Sequence, residues 1–172
     1  MEIIFIIVIL IMSVVIHEVS HGYVADLLGD QTARYAGRLT LNPIKHLDWF
    51  GSIVLPGLLA LLGGFVIGWA KPVPYNPYNL RAGRWGPAYV ALAGPASNFL
   101  IVLVFSLILR LLASSLPASA AALISLIILI NLILALFNLI PVPPLDGSKI
   151  LFALIPARYR EIENWLLRYQ WV

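Results

Sequence analysis

The apolar residues of this chain are gathered into four blocks, and that grouping limits the fold more than any other feature. The first runs from Ile3 to Leu28, the second from Ser52 to Trp69, the third from Ala88 to Leu112 and the fourth from Ala120 to Ile140. A helix needs about 20 apolar residues to cross the hydrocarbon core of a bilayer. Only 11% of the 172 residues are charged, against about 25% in an ordinary soluble domain. Bunching of this kind excludes a soluble protein with a rich core. The expectation is an all-α polytopic membrane protein, residues 1–172 forming one membrane domain without a separate soluble one.

The first block lacks a positive n-region and a small-residue cleavage site, so it reads as a retained helix and not as a signal peptide. The third and fourth are joined by SSLPAS, a short uncharged loop that predicts an antiparallel helical hairpin. The second contains Pro56, Gly57, Gly63, Gly64 and Gly68, which weaken a straight helix. Non-helical backbone is tolerated at membrane depth where it packs on protein or lines a wet cavity. A re-entrant segment is therefore expected there. Between blocks one and two, RLTL alternates between AGR and NP turn signals, predicting a short membrane-associated β-hairpin. The proline-rich AKPVPYNPYNLRAGRWGP predicts an extended, turn-rich segment.

Positive charge gives the topology. Arg34, Arg38, Lys45, Lys71, Arg81, Arg84, Lys149, Arg158, Arg160 and Arg168 fall on one face if block two is re-entrant, leaving Arg110 alone near the opposite loop. The positive-inside rule makes that face cytoplasmic in the cell membrane, with the N-terminus outside. The net charge of +3 is small and is explained by orientation, not by nucleic-acid binding. If block two crossed, the bias would weaken.

Within block one lies His17-Glu18-Val19-Ser20-His21, the pattern H-E-x-x-H. Residues four apart share a helix face, so both imidazoles can hold one ion, with Glu18 near enough to reach a water on it. Zinc would lower the pKa of that water toward about 7, and Glu18 would take its proton. A chance pair of histidines is the bland alternative. It is disfavoured because an ionisable group inside a membrane helix costs about 2.5–3.5 kcal/mol.

A catalytic zinc of this type takes three protein ligands, and with no cysteine in the chain the third must be His, Asp or Glu. His46 reads better as a solvated surface histidine. Asp146, in FNLIPVPPLDGSKI, is the better candidate, because Pro141, Pro143 and Pro144 end the fourth helix beside it, although the segment taken alone reads more readily as an Asp-Gly turn at a helix end. The re-entrant topology brings His17, His21 and Asp146 to the same side. Asn138 could donate to a developing oxyanion or cap its helix. Asn98, among the small residues of AGPASN, reads as helix-packing glue.

Taken together, HEVSH, AGPASN and NLIPVPPLDG, with GDQTARYAGRLTLNP and GWAKPVPYNPYNLR between them, resemble the site-2 protease family of M50-type intramembrane zinc metalloproteases. They look like its short prokaryotic branch without a PDZ domain. The resemblance implies one catalytic Zn2+ held by His17, His21 and Asp146, with Glu18 as base and Asn138 assisting at the substrate carbonyl. It implies partners too: the lipid bilayer and a transmembrane protein or peptide, unwound and bound by strand addition to RLTL or NPYNLR. Homo-oligomerisation stays open. One departure is that the chain stops at ENWLLRYQWV, where this branch generally continues into another membrane helix. Two other function classes share the motifs. A metal transporter would want more acidic residues along a path than Glu18 and Asp26. A non-catalytic client-binding scaffold would hold no metal.

Overall fold

The computed structural model describes residues 2–61 and 71–156 and the single positions 161, 165, 166 and 168. Six helices occur among the described residues: α1 (Glu2–Leu27), α2 (Thr32–Tyr35), α3 (Leu55–Leu61), α4 (Gly86–Leu112), α5 (Ala118–Asn138) and α6 (Asp146–Leu154). Three are long and apolar enough to cross a membrane, over Ile4–Leu27, Gly83–Leu112 and Ala118–Asn138. The shortest of these, 21 residues, is about 32 Å long at 1.5 Å per residue, which spans a hydrocarbon core of about 30 Å. The protein is an all-α membrane protein, as its blocks predict.

Buried cross-helix contacts give the directions of the three. Ser13, midway along α1, bonds Asn131 on α5; His17, one turn on, bonds Asn98 on α4; and His21, further along α1, bonds Val90 near the start of α4. Hence α4 runs against α1, and because only residues 113–117 separate α4 from α5, with Asn98 paired to Asn131, α5 runs back alongside α1. The amide of Arg81, just before α4, donates to the carbonyl of Leu28, just after α1, at 2.8 Å. The intervening chain thus leaves and returns on one side, with no net crossing. Its inner excursion also closes on itself, since the Lys71 amide donates to the His46 carbonyl at 2.9 Å. A π-helical turn (Trp49–Val54) and α3 open that excursion. The re-entrant path through Gly63, Gly64 and Gly68 lies outside the described residues.

The β-hairpin expectation is corrected: no strand occurs among the described residues. Four alternating residues cannot form a ladder without a partner, and here turns and side chains satisfy the backbone instead. The Arg38 amide donates to the Ala33 carbonyl, and the Thr40 carbonyl meets the His46 ring at 2.8 Å. The Arg38 guanidinium donates to the Lys71 carbonyl at 2.7 Å. NPYNLR is likewise no strand, because Pro77–Asn79 forms a 3-10 turn capped by the Asn76 side chain. The segment before it, residues 71–76, has no helix or strand, and Asn76 at its end has extended backbone. Asp30, fully buried, anchors this strap by accepting from the Asn76 amide at 2.6 Å and the Asn79 side chain at 2.9 Å.

Candidate metal centre

His17 and His21 lie one turn apart on the face of α1 that meets α4, their ring centroids 4.7 Å apart and their planes at 89°. Such an approach requires a residue without a side chain opposite. Gly94 supplies it, since a Cβ there would stand 2.5 Å from atoms of both rings. Each ring is oriented through its Nδ1, that of His17 by Asn98 Oδ1 at 2.6 Å and that of His21 by the Val90 carbonyl at 2.6 Å. Both Nε2 atoms then face inward.

The third group arrives from α6. After Asn138 the prolines end α5, the chain turns through residues 139–145, and Asp146 is the first residue of the new helix. Gly147 permits this fold-back, because a Cβ there would collide with the carbonyls of Leu139 and Ile140. Asp146 Oδ2 lies 3.1 Å from each histidine Nε2, and Lys149 Nζ donates to Oδ1 at 3.1 Å. Burial works against the Asp146 charge, but hydrogen bonds from His17 and His21 and the nearby Lys149 ammonium hold its carboxyl well below the usual carboxylate range.

The donor set fits a divalent cation. Each imidazole has an oxygen acceptor at both nitrogens, yet a neutral ring carries one N–H. A cation between the two Nε2 atoms and Oδ2 removes the conflict, since all three would then offer lone pairs to it. The three donor atoms lie within 4.8 Å of one another and all three residues are buried. Two imidazoles and a carboxylate with an open fourth side are the ligand types and number of a catalytic zinc site.

That open side faces a cavity also lined by Glu18, Val73, Tyr75, Asn138 and Lys149. Glu18 Oε2 accepts the Val73 amide at 2.9 Å, so the strap passes directly over the carboxylate. Asn138 is on the wall, with its Nδ2 turned back to the Leu134 carbonyl at 2.9 Å. Burial pushes the Tyr75 phenol up despite the opposing Lys149 charge; Lys149 Nζ stands 5.9 Å from the Tyr75 ring centroid.

The structure therefore brings His17, Glu18, His21, Asn138 and Asp146 to one cavity. His46 is elsewhere and, against expectation, is 1% exposed. It ends the Pro43–His46 3-10 turn, which packs on α1, and its ring is held on the Thr40 carbonyl, so it is not a solvated surface histidine. Asn98 exceeds its expected role as packing glue, since it touches a candidate ligand. Asn131, which sequence reasoning did not single out, is fully buried and bonds Asn98 at 2.8 Å. Its signal was available: a lone amide inside an apolar block needs a partner.

Comparison with family models matches the chain to Peptidase family M50 over residues 5–115 and 111–170. The chain belongs to that family. It is 42% identical over 163 residues to the Bacillus subtilis protein named "Putative zinc metalloprotease YwhC", covering 91% of this chain and 71% of that one. It is 32% identical over 137 residues to the Mycolicibacterium smegmatis "Putative zinc metalloprotease Rip2", covering 80% of this chain and 52% of the relative. "Zinc metalloprotease MJ0392" of Methanocaldococcus jannaschii is 26% identical over 157 residues, covering 91% and 36%. This chain thus spans about half or less of the latter two. No solved structure matches it.

Proposed function

We propose that this protein is an intramembrane zinc endopeptidase that hydrolyses peptide bonds in membrane-spanning segments of other proteins. The observation that carries the reading is the convergence of His17, His21 and Asp146 on one cavity wall with the Glu18 carboxylate beside them. Family membership and the zinc metalloprotease names of the relatives support zinc as the ion. Bound zinc supplies Lewis acidity, lowering the pKa of a bound water from about 15.7 toward 7.

The residues of this chain then divide the work. Glu18 takes a proton from the attacking water as that water's oxygen bonds the scissile carbonyl carbon, and returns it to the departing amine nitrogen as the C–N bond breaks. Asn138 lines the cavity, and its Nδ2 has a second hydrogen beyond the bond to Leu134 that would donate to the carbonyl oxygen where negative charge grows. Lys149 engages Asp146 Oδ1 and leaves Oδ2 for the ion. A helical substrate must unwind first, because its amides are satisfied internally and its carbonyls are shielded.

The site lies inside the membrane. His17 is ten residues before the end of α1 at Leu27, about 15 Å along the axis. Arg34, Arg38, Lys45, Lys71, Arg81, Arg84 and Lys149 all belong to the site-side connections, which supports a cytoplasmic placement in the cell membrane. Residues 1–172 would form a single protease core.

The test is cleavage of a membrane-anchored substrate in proteoliposomes. Glu18→Gln is expected to retain zinc and lose about 10²–10⁴-fold in rate, as loss of a general base does. Asn138→Ala should lose about 10²-fold, as loss of one oxyanion donor does. Undiminished cleavage by Glu18→Gln contradicts the assignment.

A further inference from the structure

A chain of buried amides runs from the metal centre through all three long helices. His17 Nδ1 meets Asn98 Oδ1 at 2.6 Å on α4. Asn98 Nδ2 donates to Asn131 Oδ1 at 2.8 Å on α5. Asn131 Nδ2 donates to Ser13 Oγ on α1 and to the Ile127 carbonyl, both at 2.9 Å. Ser13 lies one turn before His17, so the chain closes on the helix where it began. The exposures of Ser13, His17, Asn98 and Asn131 are 4%, 6%, 0% and 0%.

The polarity of this chain follows from its far end. A backbone carbonyl only accepts, so the Ile127 oxygen must face the NH2 group of Asn131. That turns Asn131 Oδ1 toward Asn98, which turns the Asn98 NH2 toward Asn131 and Asn98 Oδ1 toward His17. His17 must then carry its proton on Nδ1, leaving the Nε2 lone pair for a metal. We propose that Asn131 is a positioning residue, one that transmits the fixed polarity of the Ile127 carbonyl to the tautomer of His17 and thereby sets metal affinity. The inference rests on the metal-site reading above.

Two variants separate this role from packing. Asn131→Leu fills similar space and suits an apolar helix, but it gives Asn98 no acceptor, and the Asn98 amide is then free to flip. Asn131→Asp keeps an acceptor toward Asn98 in either protonation state, although a carboxyl in the bundle is the worse substitution for stability. Zinc affinity, measured by chelator competition with Zn2+ on metal-stripped protein in nanodiscs, is expected to fall about tenfold in Asn131→Leu, at the low end for loss of an outer-shell partner. In Asn131→Asp it should stay within about threefold of wild type, even as thermal stability ranks the two variants in the opposite order. Asn131→Ala removes the same acceptor with a smaller residue and takes the place of the leucine variant if that does not fold. Equal affinity in wild type and the Leu or Ala variant overturns the inference and leaves the metal site standing. Affinity that follows stability, with Asp weaker than Leu, also overturns it. A wild-type protein that binds no zinc overturns the site reading itself, and this inference with it.

Discussion

The two halves of the helix bundle are built on different chemistry. In the half nearest the cavity most buried positions are small or polar: Gly86, Ala88, Ala91, Gly94 and Asn98 on α4, Asn131 and Ala135 on α5, Ser13, His17 and His21 on α1, with Val15, Val19 and Val90 as the larger apolar exceptions. In the other half none of the described residues of the same helices is fully buried, positions such as Ile101, Phe105 and Ile124 being half-buried, and large apolar side chains point outward, as at Ile4, Leu103, Leu107 and Leu111. Lipid tails are as apolar as leucine, so apolar contact adds little there, whereas close backbone approach and amide pairing hold the near half together. One half is a precise polar assembly and the other is an anchor in lipid.

Substitutions that cross this divide should show it. Gly94→Val, which drives a side chain into both histidine rings, should abolish zinc binding and cost about 1–3 kcal/mol of stability, the usual range for overpacking. Retained zinc in that variant would mean that α1 and α4 are not closely packed at the site.

The strap offers the next largest effect. Asp30→Ala leaves the amides of Asn76 and Thr32 without their acceptor, costing about 1–3 kcal/mol. Burial opposes the Asp30 charge, but hydrogen bonds from Thr32, Asn79 and Asn76 bring its pKa below the ordinary value. A carboxyl lowered on folding adds stability that is full above its unfolded pKa and lost as pH falls through the folded one. Thermal unfolding followed from neutral pH down past the carboxylate range should therefore show a shallower acid-side loss in Asp30→Asn than in wild type. Parallel acid limbs would remove Asp30 from this role.

The smallest effect belongs to the lipid-facing half. Leu103→Ala and Leu107→Ala should change stability by no more than about 0.5 kcal/mol, as surface substitutions do. A loss of several kcal/mol at either position would show that this half is packed against protein.

The near half was only partly legible in the sequence. The helix spacing of His17 and His21 and the prolines after Asn138 pointed to the cavity, and the one-sided positive charge pointed to a connection that returns to its own side. What the sequence could not show was which neutral polar group meets which. Asn98 pairs equally well with a helix neighbour or a histidine, and only the crossing of α1 and α4 at Gly94 decides it. Asn131 escaped notice because its partners lie 33 and 118 residues away. RLTL misled because an alternating pattern carries no information on whether a second strand is present to pair with it. His46 misled for the opposite reason: its neighbours Lys45 and Asp48 are polar, yet the loop folds so that its ring is covered.

The central claim is that two imidazoles of α1 and one carboxylate of α6 hold a single ion. The most direct measurement is zinc content per chain of purified protein in nanodiscs, compared among wild type, His17→Ala, His21→Ala, Asp146→Ala and His46→Ala. The expected result is one zinc in wild type and in His46→Ala, with zinc lost from the other three. Full zinc content in Asp146→Ala, or its loss from His46→Ala with the fold intact, would contradict the account.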